Sequence, residues 1–144
     1  MVEFAVTVCV LLHRNGEWLL SVRSPEVAYA PGRLGLIGGH VEADSPALNV
    51  LELTARREMA EETGLDLTSV PLSYLESEFF VTEDGERQIT VTFVAPAPAD
   101  VAASVTAPAE LSEVGWWTRD EAAADRRCPP WLPALLDRAA AFVS

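Results

Sequence analysis

Basic side chains and cysteines are scarce in this chain, and long apolar runs are missing. Ten Lys and Arg stand against 22 Asp and Glu in 144 residues, a formal net charge of −12. General binding to nucleic acid or to an anionic membrane needs basic patches, so neither partner is expected. A phosphate-bearing small molecule is not excluded, because a bound divalent cation reverses the local field. The acidity alone also reads as no more than a solubility feature. The two cysteines, Cys9 and Cys128, form no CxxC pair and no metal-type spacing, which predicts free thiols in a reducing compartment. The apolar run Phe4 to Leu12 is too short to span a membrane and follows Glu3. It lacks the basic start and cleavage site of a signal peptide, so a cytoplasmic protein is expected. No internal repeat is visible.

What is present suffices for one domain over residues 1–144. A chain of this length buries roughly two-thirds of its unfolded surface and needs no disulfide to fold. Phe4 to Leu12 and Trp18 to Val22 read as strands joined at Asn15-Gly16, a tight-hairpin pair. Ser24 to Arg33 is a loop, and Leu34 to Ile37 a short strand running into Gly38-Gly39. A helix is predicted over Pro46 to Thr63, capped by Asp44 or Ser45 and stopped at Gly64. Leu72 to Thr82 and Gln88 to Ala95 are strands around Glu83-Asp84-Gly85-Glu86. The Pro- and Ala-rich stretch Ala95 to Ala109 reads as a surface loop. Val114 to Trp117 is a last strand, Thr118 caps a helix to about Arg126, and Trp131 to Phe142 is a terminal helix. This order predicts an α/β fold with a mixed sheet covered by helices on both faces.

The segment Arg57-Glu58-Met59-Ala60-Glu61-Glu62-Thr63-Gly64-Leu65 carries the strongest chemical signal. Residues three and four apart share a helix face, so Glu58, Glu61 and Glu62 cluster and repel unless a cation intervenes. Glu61 and Glu62 also occupy the last turn, where the helix dipole disfavours anions by about 0.3–1 kcal/mol each. Leu48, Leu51, Ala55 and Met59 form an apolar stripe that includes Glu62. An acid on a core-facing stripe must be neutralised, paired or bound to metal. Clustered carboxylate oxygens suit Mg²⁺ or Mn²⁺. The bland alternative is a solvated acidic face. Likewise Gly38-Gly39 reads either as a plain turn or as backbone at positive φ brought close to an ion or phosphate.

Taken together, Gly38-Gly39-His40-Val41-Glu42 and Arg57 to Leu65 resemble the Nudix box of the Nudix (MutT-like) hydrolases. Leu19-Leu20-Ser21-Val22-Arg23 resembles the family's second strand, and Glu110-Leu111-Ser112-Glu113-Val114-Gly115-Trp116 its late Glu-plus-Trp segment. The resemblance covers most of the chain. One departure stands out. The acid that the family places between the glycines and the arginine falls here on Asn49, and the spacing from Gly39 to Arg57 is about four residues too long. An insertion of about one helical turn between Asp44 and Leu53 is expected, with Asp44 a weak substitute for the missing acid.

The resemblance implies an α/β/α sandwich and Mg²⁺-dependent hydrolysis of a diphosphate linkage, Mn²⁺ being a substitute. The substrate would be a nucleoside diphosphate joined to another moiety: a nucleoside triphosphate, nucleotide sugar, ADP-ribose-like molecule or dinucleotide. It implies Gly38 (through its carbonyl), Glu58, Glu61 and Glu62 as metal ligands, and Arg57 as the residue that orients a glutamate. Glu58 ranks first as general base, with Glu61 also assigned a catalytic role, and Glu110 or Glu113 is a further ligand or base. Arg23, Tyr29 and Phe80 are substrate-binding candidates. Trp116, Trp117, Phe80 and Tyr29 can stack on a base, although the tryptophans and Phe80 read more readily as core. Better activity in mildly alkaline than in acidic conditions is expected of coupled glutamates. Leu20 to Pro25 faintly resembles the coenzyme A-cleaving branch, whose upstream histidine is absent. A non-catalytic nucleotide-binding Nudix module and an interaction domain built on the Ala/Pro loop and the Trp131 helix are the competing classes, and a homodimer is left open.

Overall fold

The computed structural model describes residues 2–98 and 103–144. Its elements run β1 (Phe4–Arg14), β2 (Glu17–Arg23), β3 (Leu34–Gly35), β4 (Ile37–His40), α1 (Val50–Thr63), β5 (Ser73–Val81), β6 (Arg87–Pro96), β7 (Leu111–Thr118), α2 (Arg119–Ala124) and α3 (Leu132–Val143). Among the described residues the seven strands form one mixed sheet. β1 runs parallel to β6, and the other pairings are antiparallel.

Asn15 and Gly16 both take positive φ, at 47° and 77°, so the expected tight turn joins β1 to β2. These two strands pair only at His13↔Trp18 and Arg14↔Glu17. Beyond that point they separate. β4 fills the opening against Thr7 to Val10 of β1, and β3 against Ser21 and Val22 of β2. The expected single strand from Leu34 to Ile37 is thus two strands broken at Leu36. Ser21, fully buried, holds the break by donating from Oγ to the Gly35 and Leu36 carbonyls at 3.3 Å each.

Alternation along the strands sends side chains to two separate cores. Val8, Val10, Leu12, Leu19, Val91 and Phe93 meet Ala55 and Met59 of α1. Leu11, Trp18, Leu20, Val22 and Val94 meet Ala122 of α2 and Leu132, Leu135 and Leu136 of α3. Helices therefore cover both faces, as expected. Thr118 caps α2 in a capping box with Glu121, although α2 ends at Ala124 rather than near Arg126.

The start of α1 differs from expectation. Neither Asp44 nor Ser45 caps it, and Pro46 lies outside it. Asn49 is the cap, with φ 56° and ψ 37° and no side-chain bond. A left-handed residue interrupts right-handed helix, and Asn is among the few side chains that tolerate it. Residues 42–49 are all exposed, so the extra length is surface loop instead of an added helical turn. Leu48, 86% exposed, leaves the apolar stripe for the same reason. Of the Ala95 to Ala109 loop, residues 99–102 lie outside the described residues.

Candidate active site

Gly38 and Gly39 lie in β4, not in a turn, and neither takes positive φ. Their lack of a side chain serves close approach. A Cβ on Gly38 would collide with the Val8 carbonyl and the Cys9 backbone, and one on Gly39 with the Glu58 carboxylate. In an antiparallel ladder a residue sends its N–H and C=O to the same side. Val41 N–H reaches the Val6 carbonyl at 2.8 Å, so Gly39 and Val41 face β1. Gly38 and His40 face α1 instead. Gly38 N–H donates to Oε2 of Glu62 at 3.2 Å, and the His40 carbonyl accepts from Nη2 of Arg57 at 3.0 Å. The Gly38 carbonyl consequently opens on the same side as Glu62.

α1 supplies the acids. Ala55, Met59 and Glu62 are buried on its sheet-facing side, and Glu62 is only 4% exposed. Glu58 accepts from Nη2 of Arg57 at 3.0 Å. Gly64, φ 75°, ends the helix in the expected left-handed stop and donates to the Ala60 carbonyl. A third acid comes from far along the chain. One carboxylate oxygen each from Glu58, Glu62 and Glu110 lies within 4.8 Å of the other two. Glu110 is set in place by its own backbone, whose carbonyl accepts from Ser24 N–H at 2.8 Å beside the start of β7.

Burial first, and this crowding second, set the proton affinities. The Glu62 carboxyl is pushed up to about 9, by burial first, then by its hydrogen bond and charge contact with Glu110 and by the Glu58 charge. Burial also raises Glu58, against the lowering effect of the Arg57 hydrogen bond. Arg57 is itself raised by that bond. Cys9, opposite Gly38, is pushed up to about 12, by burial and then by Glu62, so its thiol stays neutral. Both cysteines are free, as expected.

A buried acid facing two others, with one N–H donor to offset it, is a poor arrangement for stability and a good one for a hard divalent cation. An all-oxygen donor set of three carboxylates with a backbone carbonyl alongside fits Mg²⁺ or Mn²⁺.

The remaining candidates fall in different places. Glu61 is exposed and lies 3.8 Å from Nε of Arg57, outside the group of three. Glu113 is bound at 2.9 Å by Arg127, which also grips Asp125 and holds that carboxyl down at about 2. Asp44 is exposed in the loop before α1. Arg23, paired with Leu111 next to Glu110, donates from Nε to the Tyr29 carbonyl at 2.7 Å, and its guanidinium lies 5.9 Å from the Tyr29 ring. Tyr29 is 66% exposed. Phe80 is half-buried on β5. Trp116 packs toward the α1 core beneath Arg14, 4.0 Å from the ring centre, while Trp117 packs toward the α3 core. Sequence reasoning missed Ser24, whose role runs through a backbone N–H that carries no sequence signal.

A mixed sheet opened by an inserted strand, with acids converging from a helix end, is the architecture of a pyrophosphohydrolase of the Nudix class. The NUDIX domain profile matches residues 3–138, and the chain belongs to the Nudix family. Its fold is similar to that of a MutT NUDIX hydrolase from Burkholderia pseudomallei, with TM-score 0.77 and 23% identity over 94% of this chain and 98% of that one. It is also similar to a MutT protein from Methanosarcina mazei Go1, with TM-score 0.75 and 23% identity over 99% and 97%. The NUDIX domain of Shewanella oneidensis NrtR, complexed with ADP ribose, matches with TM-score 0.72 and 21% identity over 100% and 90%. The chain has no significant sequence match among curated proteins.

Proposed function

We propose that the chain hydrolyses a diphosphate linkage in a nucleoside diphosphate joined to another moiety, with Mg²⁺ as its cofactor, giving a nucleotide and a phosphorylated product. The observation that carries this reading is the convergence of Glu58, Glu62 and Glu110 beside the outward edge of Gly38. Glu58, Glu62, Glu110 and the Gly38 carbonyl would hold the ion. When bound, it would offset the diphosphate charge and ease deprotonation of a water. Arg57, gripping both the His40 carbonyl and Glu58, fixes the Glu58 carboxylate against Gly39. Glu58 so held takes the proton of the attacking water as oxygen bonds to phosphorus and the bridging oxygen leaves with its phosphate. Glu61, on the exposed side of Arg57, steadies that arginine. Arg23, beside Glu110, offers its guanidinium to the phosphates, and Tyr29 next to it offers a ring to the base or sugar. The ADP ribose on the NrtR domain supports nucleoside diphosphate sugars as the first substrates to try.

Appearance of the nucleotide product, resolved by chromatography, from a panel of nucleoside triphosphates, nucleotide sugars, ADP-ribose and dinucleotides, with Mg²⁺ and with EDTA, tests the reading. Mg²⁺-dependent cleavage of at least one member is expected. A folded protein inert toward the whole panel would leave a nucleotide-binding module in its place.

A further inference from the structure

The last turn of α1 contains no basic residue, so the carbonyls at the negative end of its dipole need other donors. They find them in the loop that precedes β7. Oγ1 of Thr106 donates to the Glu61 carbonyl at 2.6 Å. Thr106 N–H donates to the Glu62 carbonyl at 3.0 Å, and Ser104 N–H reaches the Thr63 carbonyl at 3.4 Å. Cγ2 of Thr106 covers Gly64, 3.5 Å from where a Cβ would stand. One residue thus satisfies two helix-end carbonyls with two different donors and packs its methyl over the helix stop. Immediately after it the chain turns: the Ala107 carbonyl accepts from both Glu110 and Leu111 N–H at 3.0 Å. The turn delivers Glu110 to Glu58 and Glu62.

We propose that Thr106 is a positioning residue of the acid site, latching the loop that carries Glu110 onto the backbone of Glu61 and Glu62. The inference rests on reading Glu58, Glu62 and Glu110 as cation ligands. Glu110 is exposed, and on its far side it is held by Ser24 and β7. Without the hydroxyl bond the loop keeps only the Thr106 and Ser104 N–H donors on α1 and its shortest hydrogen bond there is gone. Cation binding must then do more to order the loop as well as the ligand. One hydrogen bond of ordinary net strength corresponds to about three- to tenfold in an equilibrium constant.

Mn²⁺ affinity of the full chain, read from the free Mn²⁺ signal in electron paramagnetic resonance, tests the latch without reference to turnover. Thr106→Val keeps the methyl contact and loses the hydroxyl, and should weaken Mn²⁺ about three- to tenfold. Thr106→Ser keeps the hydroxyl and should bind like wild type. In the E110Q background, itself weaker than wild type, Thr106→Val should add little, because the latch acts through Glu110. Wild-type affinity in Thr106→Val, or a full additional loss in the double variant, would overturn the latch while leaving the cation site standing. Should Val not be accommodated, Thr106→Ala compared with Thr106→Ser, both lacking the methyl, reads the loss of the hydroxyl alone. Absence of Mn²⁺ binding in wild type, or unchanged affinity in E110Q alone, would overturn the ligand reading and the latch with it.

Discussion

The Gly38 amide donates to Oε2 of Glu62 at 3.2 Å, joining a strand and a helix whose contact residues lie 24 positions apart. That bond explains how a glutamate only 4% exposed keeps a fixed carboxylate direction. It also ties the acid to the backbone edge where a carbonyl ligand is available. The strand thereby sets where the helix places its acid.

Glu62→Gln keeps an acceptor for the Gly38 amide and removes the charge. Mg²⁺-dependent turnover should fall about 10²- to 10⁴-fold, the scale of a catalytic group's loss. Thermal unfolding of the metal-free variant at pH 8 should occur at or above the wild-type midpoint, because a crowded acid has been replaced by an amide. A folded variant with wild-type turnover would remove Glu62 from the site.

The pH dependence of metal-free stability follows from the same carboxyl. Glu62 moves from 4.5 when unfolded to about 9 when folded, so the folded state holds the proton more tightly. Its contribution is fully present below pH 4.5 and is lost as pH rises through about 9. Glu58 is raised as well and acts in the same direction. Melting in EDTA should therefore become easier between pH 5 and 9 on the pKa shifts cited, and saturating Mg²⁺ should flatten or reverse the trend. A melting temperature in EDTA that climbs across this window would contradict the assignment.

The two glycines of β4 should fail differently. In Gly38→Ala the new methyl meets backbone of Val8 and Cys9, which cannot step aside. A loss of about 1–3 kcal/mol in urea unfolding is expected, the scale of overpacking. In Gly39→Ala it meets the Glu58 carboxylate, a movable side chain. Stability should change less and turnover more. Equal stability losses in both would mean that Glu58 is not pressed against Gly39.

Arg57 holds Glu58 at 3.0 Å and the His40 carbonyl at 3.0 Å. Arg57→Ala should lower kcat about 10- to 100-fold, as loss of an outer orienting partner does, with KM little changed. A rise in KM alone would place Arg57 against substrate instead.

Much of the fold was legible because hydrophobic period and turn chemistry act locally. Asn15-Gly16, Gly64 and the Thr118 cap each impose one backbone shape on their own neighbourhood. The burial of Glu62 was legible too, since 100° per residue places it in line with Ala55 and Met59. The start of α1 was not: Asp44, Ser45 and Pro46 form a plausible cap, and nothing local announces that Asn49 turns left-handed. The choice between Glu110 and Glu113 was equally hidden. Both are exposed acids around the start of β7, and only the pairing of that strand with β2 sends one to Glu62 and the other to Arg127. Gly38-Gly39 stands out in the sequence as a pair, but the reason, contact with residues from β1 and α1, belongs to tertiary packing.

Anomalous diffraction from crystals soaked in Mn²⁺ tests the central claim most directly. A peak is predicted among the carboxylates of Glu58, Glu62 and Glu110, within coordination distance of the Gly38 carbonyl. A well-ordered site with no peak there, or Mn²⁺ bound only elsewhere on the surface, would contradict it.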